Sequence, residues 1–251
     1  MSIFIENAGG NCMEHRKNNE LVRIIYHPDY LADYSTASCE CPDRVRAIMS
    51  DVADVFAVVE PDPCSEEDIL LCHSEGVLQT EKTNPGRYEI ARRAAGGAIM
   101  AAGLAMQGFI PFAVIRPPGH HANPDHNWGF CFFNNMAIAL SKHLNEGAIG
   151  SAVVLDIDLH FGDGTDVIFK GNTGVRVINI QSSNPEDFIR ETREALESAG
   201  NADILGISAG FDQYIRDWGA NLSMDDYEII GRLAGQYARE HTNGRLFALL
   251  E

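Results

Sequence analysis

Six short runs limit what this chain can fold into: LVRIIY (21–26), FAVIRP (112–117), SAVVLDID (151–158), VRVINI (175–180), ADILGISAG (202–210) and RLFALL (245–250). Each is mostly apolar at odd and even positions alike. A strand with one wet face alternates, whereas a strand covered on both faces does not. Between the runs lie stretches of helical character. CPDRVRAIMSDVADVF (41–56) is opened by Pro42, and EIARRAAGGAIMAAGLAMQG (89–108) is rich in small residues. NMAIALSKHLNE (135–146) and PEDFIRETREALESA (185–199) follow, the latter with Pro185 at its start. SMDDYEIIGRLAGQYARE (223–240) has Ser223 and Asp226 spaced as a capping box. VLQTEKTNPGRY (77–88) reads as a loop. The alternation predicts an α/β fold: a single domain with a central, mainly parallel sheet flanked by helices. In such sheets a ligand sits beyond the carboxyl ends of the strands.

Composition fits one large α/β domain or two small ones. The chain has 251 residues and is 45% hydrophobic, enough to bury a full core. No apolar span of membrane length occurs, and MSIFIENAGGNCMEHRKNNE has no signal-peptide core, so residues 1–20 read as a loosely ordered extension. Cys12, Cys39, Cys41, Cys64, Cys72 and Cys131 form no C-x-x-C pair; they read as free thiols in a reducing cytoplasm. The net charge of -17 argues against nucleic-acid binding and favours cationic ligands; its plainer reading is solubility.

Three strand ends carry side chains capable of chemistry. After FAVIRP comes the turn PPGHH, with His120 and His121. SAVVLDIDLHFGDG ends in Asp156, Asp158, His160 and Asp163, and ILGISAG leads to Asp212. Alternation along an extended segment puts Asp156, Asp158 and His160 on one side. Such a group at the end of an apolar strand is costly to bury without a cation. Asp158, His160 and Asp212 supply three metal ligands, leaving a position for water, as in catalytic zinc sites. A histidine beside that position suits proton transfer, and each imidazole needs a carboxylate partner. Asp156 and Asp163 are the spare carboxylates. Taken singly, each signal has a structural explanation: a turn histidine pair, a loop cap, a surface aspartate.

RPPGHHA, WGFCFFNN, VLDIDLHFGDGT and SAGFD resemble the histone deacetylase superfamily, which includes acetylpolyamine amidohydrolases and acetoin-utilisation proteins and has the arginase/deacetylase fold. The resemblance runs from IIYHPDYL to the last residue, so residues 1–251 read as one such domain. It implies zinc on Asp158, His160 and Asp212. It implies His121 as general base and acid paired with Asp163, and His120 paired with Asp156. Phe130 would form one wall of an acyl channel with Gly129 close to the substrate. A potassium ion would use Asp156, Asp158, His160, Asn179 and Ile180. The implied reaction is hydrolysis of an acetylated amine, either acetyllysine in a peptide or a small polyamine, with no nucleic acid or membrane as partner; oligomeric state stays open.

Three departures qualify the resemblance. Phe161 stands where many members have a second histidine, a position read as structural. The passage from INIQSSN into the next helix is short, where relatives hold an aromatic that makes a second channel wall; a wide or shallow entrance is expected. The chain ends at Glu251, where relatives continue into Gly-Gly-Tyr, so it reads as truncated at that end and as a weak deacetylase, Tyr214 being the only nearby substitute. Two other readings stay open: a module that binds acyl-lysine or polyamine without hydrolysis, and a di-manganese ureohydrolase. The spacing of Asp212 and Asp217 disfavours the latter.

Overall fold

The structure is a computed structural model that describes residues 20–34 and 36–251. The expected N-terminal extension, apart from Glu20 but including Cys12, lies outside the described residues. Seven strands form one parallel sheet: β1 (Val22–Ile25), β2 (Ala57–Val59), β3 (Ile110–Ala113), β4 (Ala152–Asp156), β5 (Val175–Asn179), β6 (Ile204–Ala209) and β7 (Leu246–Leu250). Their order is β2-β1-β3-β7-β6-β4-β5. β4, β6 and β7 are buried at every position, as runs without alternation require. β2 is a short edge strand that the sequence reading missed; Ala57-Val58-Val59 is apolar but only three residues long, follows directly on the stretch read as a helix, and is largely exposed.

Among the described residues eight α-helices flank the sheet: α1 (Asp43–Val52), α2 (Glu66–Ile69), α3 (Glu75–Lys82), α4 (Pro85–Met106), α5 (Asn135–Asn145), α6 (Asp163–Phe169), α7 (Pro185–Glu197) and α8 (Met224–His241). Ser223 and Asp226 form the expected capping box on α8. The segment 77–88, expected as a loop, is helical over most of its length. Ser74 caps α3, and Asn84 caps α4 with Pro85 in its first turn. Two helices thus abut with one short break, and a mixed polar face hid the first.

α4 lies close to its neighbours because its residues are small. A β-carbon on Gly96 would meet the Asp62 carbonyl oxygen at 1.9 Å, and one on Gly97 would meet Ile115 at 2.9 Å. Among the described residues no helix is long and apolar enough to cross a membrane.

His73 fastens the end of α2 to the start of α5. Its Nδ1 bonds to the Asn123 carbonyl at 2.9 Å, and its Nε2 accepts the Asn134 backbone N–H at 2.9 Å. That pattern requires a neutral ring, and burial pushes its pKa down to about 4 from 6.5. The stability it supports is complete above pH 6.5 and is lost as pH falls toward 4, about 3 kcal/mol in all. His73→Gln can keep both bonds without titrating. Its urea-unfolding free energy should fall between pH 7 and 5 by about 2 kcal/mol less than that of the parent chain. Identical slopes would assign the acid sensitivity to other groups.

Candidate active site

The carboxyl ends of β3, β4, β6 and β7 converge on one pocket. β3 leads through Pro117, Pro118 and Gly119 into His120 and His121; β4 ends at Asp156; β6 leads through Gly210 to Asp212; β7 delivers Glu251. The extended segment expected through His160 is not present. β4 stops at Asp156, and the next residues turn because the Asp158 N–H bonds back to Asp156 Oδ1 at 3.1 Å and the His160 N–H to Asp158 Oδ1 at 2.7 Å. Carboxylates near their own backbone favour such turns over a strand.

The turns bring Asp158, His160 and Asp212 together, with one ligand atom from each within 4.8 Å of the others. His160 Nδ1 lies 3.2 Å from Asp158 Oδ1 and 3.0 Å from Asp212 Oδ2. The Leu159 N–H steadies Asp212 through Oδ1 at 2.9 Å. Gly210 makes room for the cluster, since a β-carbon there would meet Asp158 Oδ2 at 1.8 Å. Burial and the nearby Asp158 charge raise the pKa of Asp212; burial would raise Asp158 too, but its bonds to His160 outweigh that and hold it low. The two carboxylates disfavour each other's charge, a conflict that a divalent cation relieves, and two carboxylates with an imidazole form a donor set that suits zinc. The residues therefore fit a metal ion.

The adjacent histidines have separate partners. His120 Nδ1 is 3.0 Å from Asp156 Oδ2, and His121 Nδ1 is 2.7 Å from Asp163 Oδ1. Burial alone would lower His120, but Asp156 first, then Glu251 and Asp158, outweigh it and raise its pKa to about 10. For His121, burial and the charge of His120 prevail over Asp163 and lower it to about 4. One ring thus holds a proton near neutrality while the other stays free to accept one, the separation that marks acid–base pairs.

The pocket has a volume of about 500 Å³. Gly129 and Phe130 line it, as do Trp128, Asp217 and Trp218. Gly129 has φ +60°, and a β-carbon there would meet His121 at 2.4 Å, so glycine lets the loop pass against the imidazole. The β5–α7 connection is short, as expected. An aromatic comes instead from the loop after β6: Trp218 sits edge-on to His160, with ring centroids 5.9 Å apart. Sequence reading missed both tryptophans; an indole next to a catalytic motif was the available signal. It also missed Glu251 as a buried acceptor, which takes the Gly119 and His120 N–H groups at 2.7 and 3.2 Å and the Ser208 hydroxyl at 2.9 Å.

Phe161 is the residue at the position read as structural. It is exposed, because the turn after Asp158 carries it off the sheet. Tyr214 does not line the pocket; its hydroxyl accepts from Arg216. Asn179 pairs with Asp156 across β4 and β5 and accepts the Gly162 N–H at 2.8 Å, while the Ile180 N–H donates to the Asp156 carbonyl at 3.2 Å.

Residues 78–201 match the family described as "Histone deacetylase domain", a span that holds both histidines, Asp158, His160 and Asp163 and stops before Asp212. A protein of Methanothermobacter thermautotrophicus named "Probable deacetylase" is 31% identical, over 81% of this chain and 77% of its own. Another of that name, from Archaeoglobus fulgidus, is 29% identical over 91% of this chain and 80% of its own. The crystal structure of the HDA15 HD domain has the same fold, with a TM-score of 0.82 at 21% identity, over 92% of this chain and 84% of that one. On the sheet, the pocket and these similarities together, the chain belongs to the histone deacetylase family.

Proposed function

We propose that the chain is a zinc-dependent amidohydrolase that removes acetyl groups from cationic amines, either acetyllysine in a peptide or an acetylated polyamine. The observation that carries this reading is the Asp158–His160–Asp212 cluster sharing one pocket with a neutral His121. A divalent ion held by those three residues would supply Lewis acidity, polarising a carbonyl and easing deprotonation of water. The chain's own residues do the rest. His121 keeps its Nδ1–H on Asp163, so Nε2 is the base: it takes the proton of the attacking water and passes it to the amide nitrogen as the C–N bond breaks. Acetate and a free amine result. His120, charged through Asp156, provides a fixed positive field beside the carbonyl oxygen. Gly129 and Phe130 confine the acyl chain. A potassium ion is assigned to the turn of Asp156, Asp158, His160, Asn179 and Ile180; the pairing of Asp156 with Asn179 supports it.

The test is acetate release from an acetyllysine peptide by chain stripped with a chelator and then reloaded with zinc. Activity that appears only after reloading is expected; equal turnover in the stripped protein would defeat the reading.

The preference for a cationic amine rests on charge. Glu40, Asp217 and Glu251 join the metal cluster around the pocket, and Arg44 is the basic lining residue other than histidine. With the net charge of -17, this field should draw cations inward. kcat/KM for a Lys-rich acetylated peptide should fall several-fold from low salt to 0.15 M, where screening cuts the reach of the field to about 8 Å. A neutral acetanilide substrate should show little change. A flat profile for both would leave the charge as a matter of solubility.

A further inference from the structure

Trp128 touches both members of the His121–Asp163 pair. Its ring centroid lies 3.9 Å from that of His121, at an interplanar angle of 30°. Its indole Nε1–H donates to Asp163 Oδ2 at 3.1 Å. The same oxygen accepts from Asn123 Nδ2 at 2.6 Å, while Oδ1 faces His121 at 2.7 Å. Both carboxylate oxygens are thereby committed, and the carboxylate cannot rotate without losing a partner.

Trp128 itself is half exposed, so its place is set by these contacts rather than by core packing. When His121 takes a proton it becomes a cation whose ring centroid is 4.0 Å from that of His120. The electron-rich face of an indole offsets that repulsion, since aromatic faces attract cations.

We propose that Trp128 is a positioning residue for proton transfer: its ring holds His121 and favours its protonated state, and its N–H fixes Asp163. The proposal rests on His121 as the general base. Trp128→Phe keeps a ring and loses the donor; Trp128→Leu loses both. On a fluorogenic acetyllysine peptide, with the zinc-loaded chain, the expected fall in kcat is about 5- to 10-fold for the first and about 30- to 100-fold for the second, with KM within about twofold. Zinc content should not change. In an Asp163→Asn background, Trp128→Phe should cost less than about twofold, because the two groups act as one unit.

A second measurement is independent of turnover. The chain has two tryptophans, so Trp218→Phe leaves Trp128 as the sole tryptophan, whose emission is read by exciting beyond the absorption of the seven tyrosines. Adding His121→Ala should then change its emission, and unchanged emission would show that the rings do not meet. Raised KM with unchanged kcat in Trp128→Leu would make the indole a pocket wall only and overturn the proposal. His121→Ala serves as the control. Full activity there would remove the base assignment and this proposal with it, whereas a dead His121→Ala beside a fully active Trp128→Leu would remove the role of Trp128 alone.

Discussion

Replacing Asp212 with alanine or asparagine is expected to strip the chain of its divalent ion and of nearly all turnover. Zinc affinity should weaken by at least about 100-fold, since even outer partners of a metal ligand cost 10- to 100-fold. Acetyllysine hydrolysis should fall by about 10³-fold or more with it. The asparagine variant is the sharper one. It can still accept the Leu159 N–H that Asp212 Oδ1 accepts at 2.9 Å, so local folding is kept while the charge is lost. In the metal-free chain, burial and the nearby Asp158 raise the pKa of Asp212, so its charge opposes folding at neutral pH. Removing that charge should leave the metal-free melting temperature equal or higher. The rise that added zinc gives the parent chain, set by its concentration relative to Kd, should vanish. Elemental analysis showing full zinc in Asp212→Asn, or the same zinc-induced rise in melting temperature, would take Asp212 out of the metal site.

The sequence shows the site's charged groups better than it shows the frame around them. Apolar strands ending in Asp, His and Asp are legible because a buried strand tolerates such residues only at its end, where a ligand or a turn can satisfy them. Asp212 is legible that way although it is distant in sequence. What escaped was geometry made by backbone. Asp158 turns the chain back on itself through hydrogen bonds to its own segment, which no alternation pattern reports. α3 escaped because EGVLQTEK is too polar to show a face until Ser74 is recognised as its cap. Glu251 reads in the sequence only as the residue that follows the last strand and ends the chain; the structure shows its carboxylate holding the turn that carries the histidines. A buried acceptor of that kind has no sequence pattern, because its donors are backbone groups of another strand end. Arg116 was legible only as a letter in RPPGHHA, and its task appears only in three dimensions.

Arg116→Met is expected to give the largest loss of stability of any single change outside the site, about 3–5 kcal/mol, the usual cost of removing one partner of a buried ion pair; the part-exposed Arg44, its Nη1 3.6 Å from Glu40 Oε1, is too far to replace the lost hydrogen bonds. Arg116 is 1% exposed. Its Nε donates to Glu40 Oε1 at 2.6 Å, its Nη1 to the Tyr30 and Ala32 carbonyls at 2.9 and 2.8 Å, and its Nη2 to the Glu40 carbonyl at 3.1 Å. The guanidinium also lies over the Tyr34 ring, 4.3 Å from its centroid. One side chain thus gathers the segment between β1 and α1 onto the end of β3. The consequence reaches the pocket, because Glu40 lines it and Arg44, on α1, donates to the Glu251 carbonyl at 2.6 Å. Lysine should not rescue, since one ammonium cannot reach a carboxylate and three carbonyls laid out for a planar fork. A melting temperature lower by on the order of 10 °C is expected for both Met and Lys variants. Arg116→Met combined with Glu40→Leu should recover much of the loss, because no charge is then left buried without a partner. Turnover should stay low in the double variant even where stability returns, since the pocket wall is no longer fixed. If the double variant were as unstable as Arg116→Met, the cost would lie in the freed backbone carbonyls and not in the stranded Glu40 carboxylate; if Arg116→Met melted like the parent, the clamp would have no energetic weight.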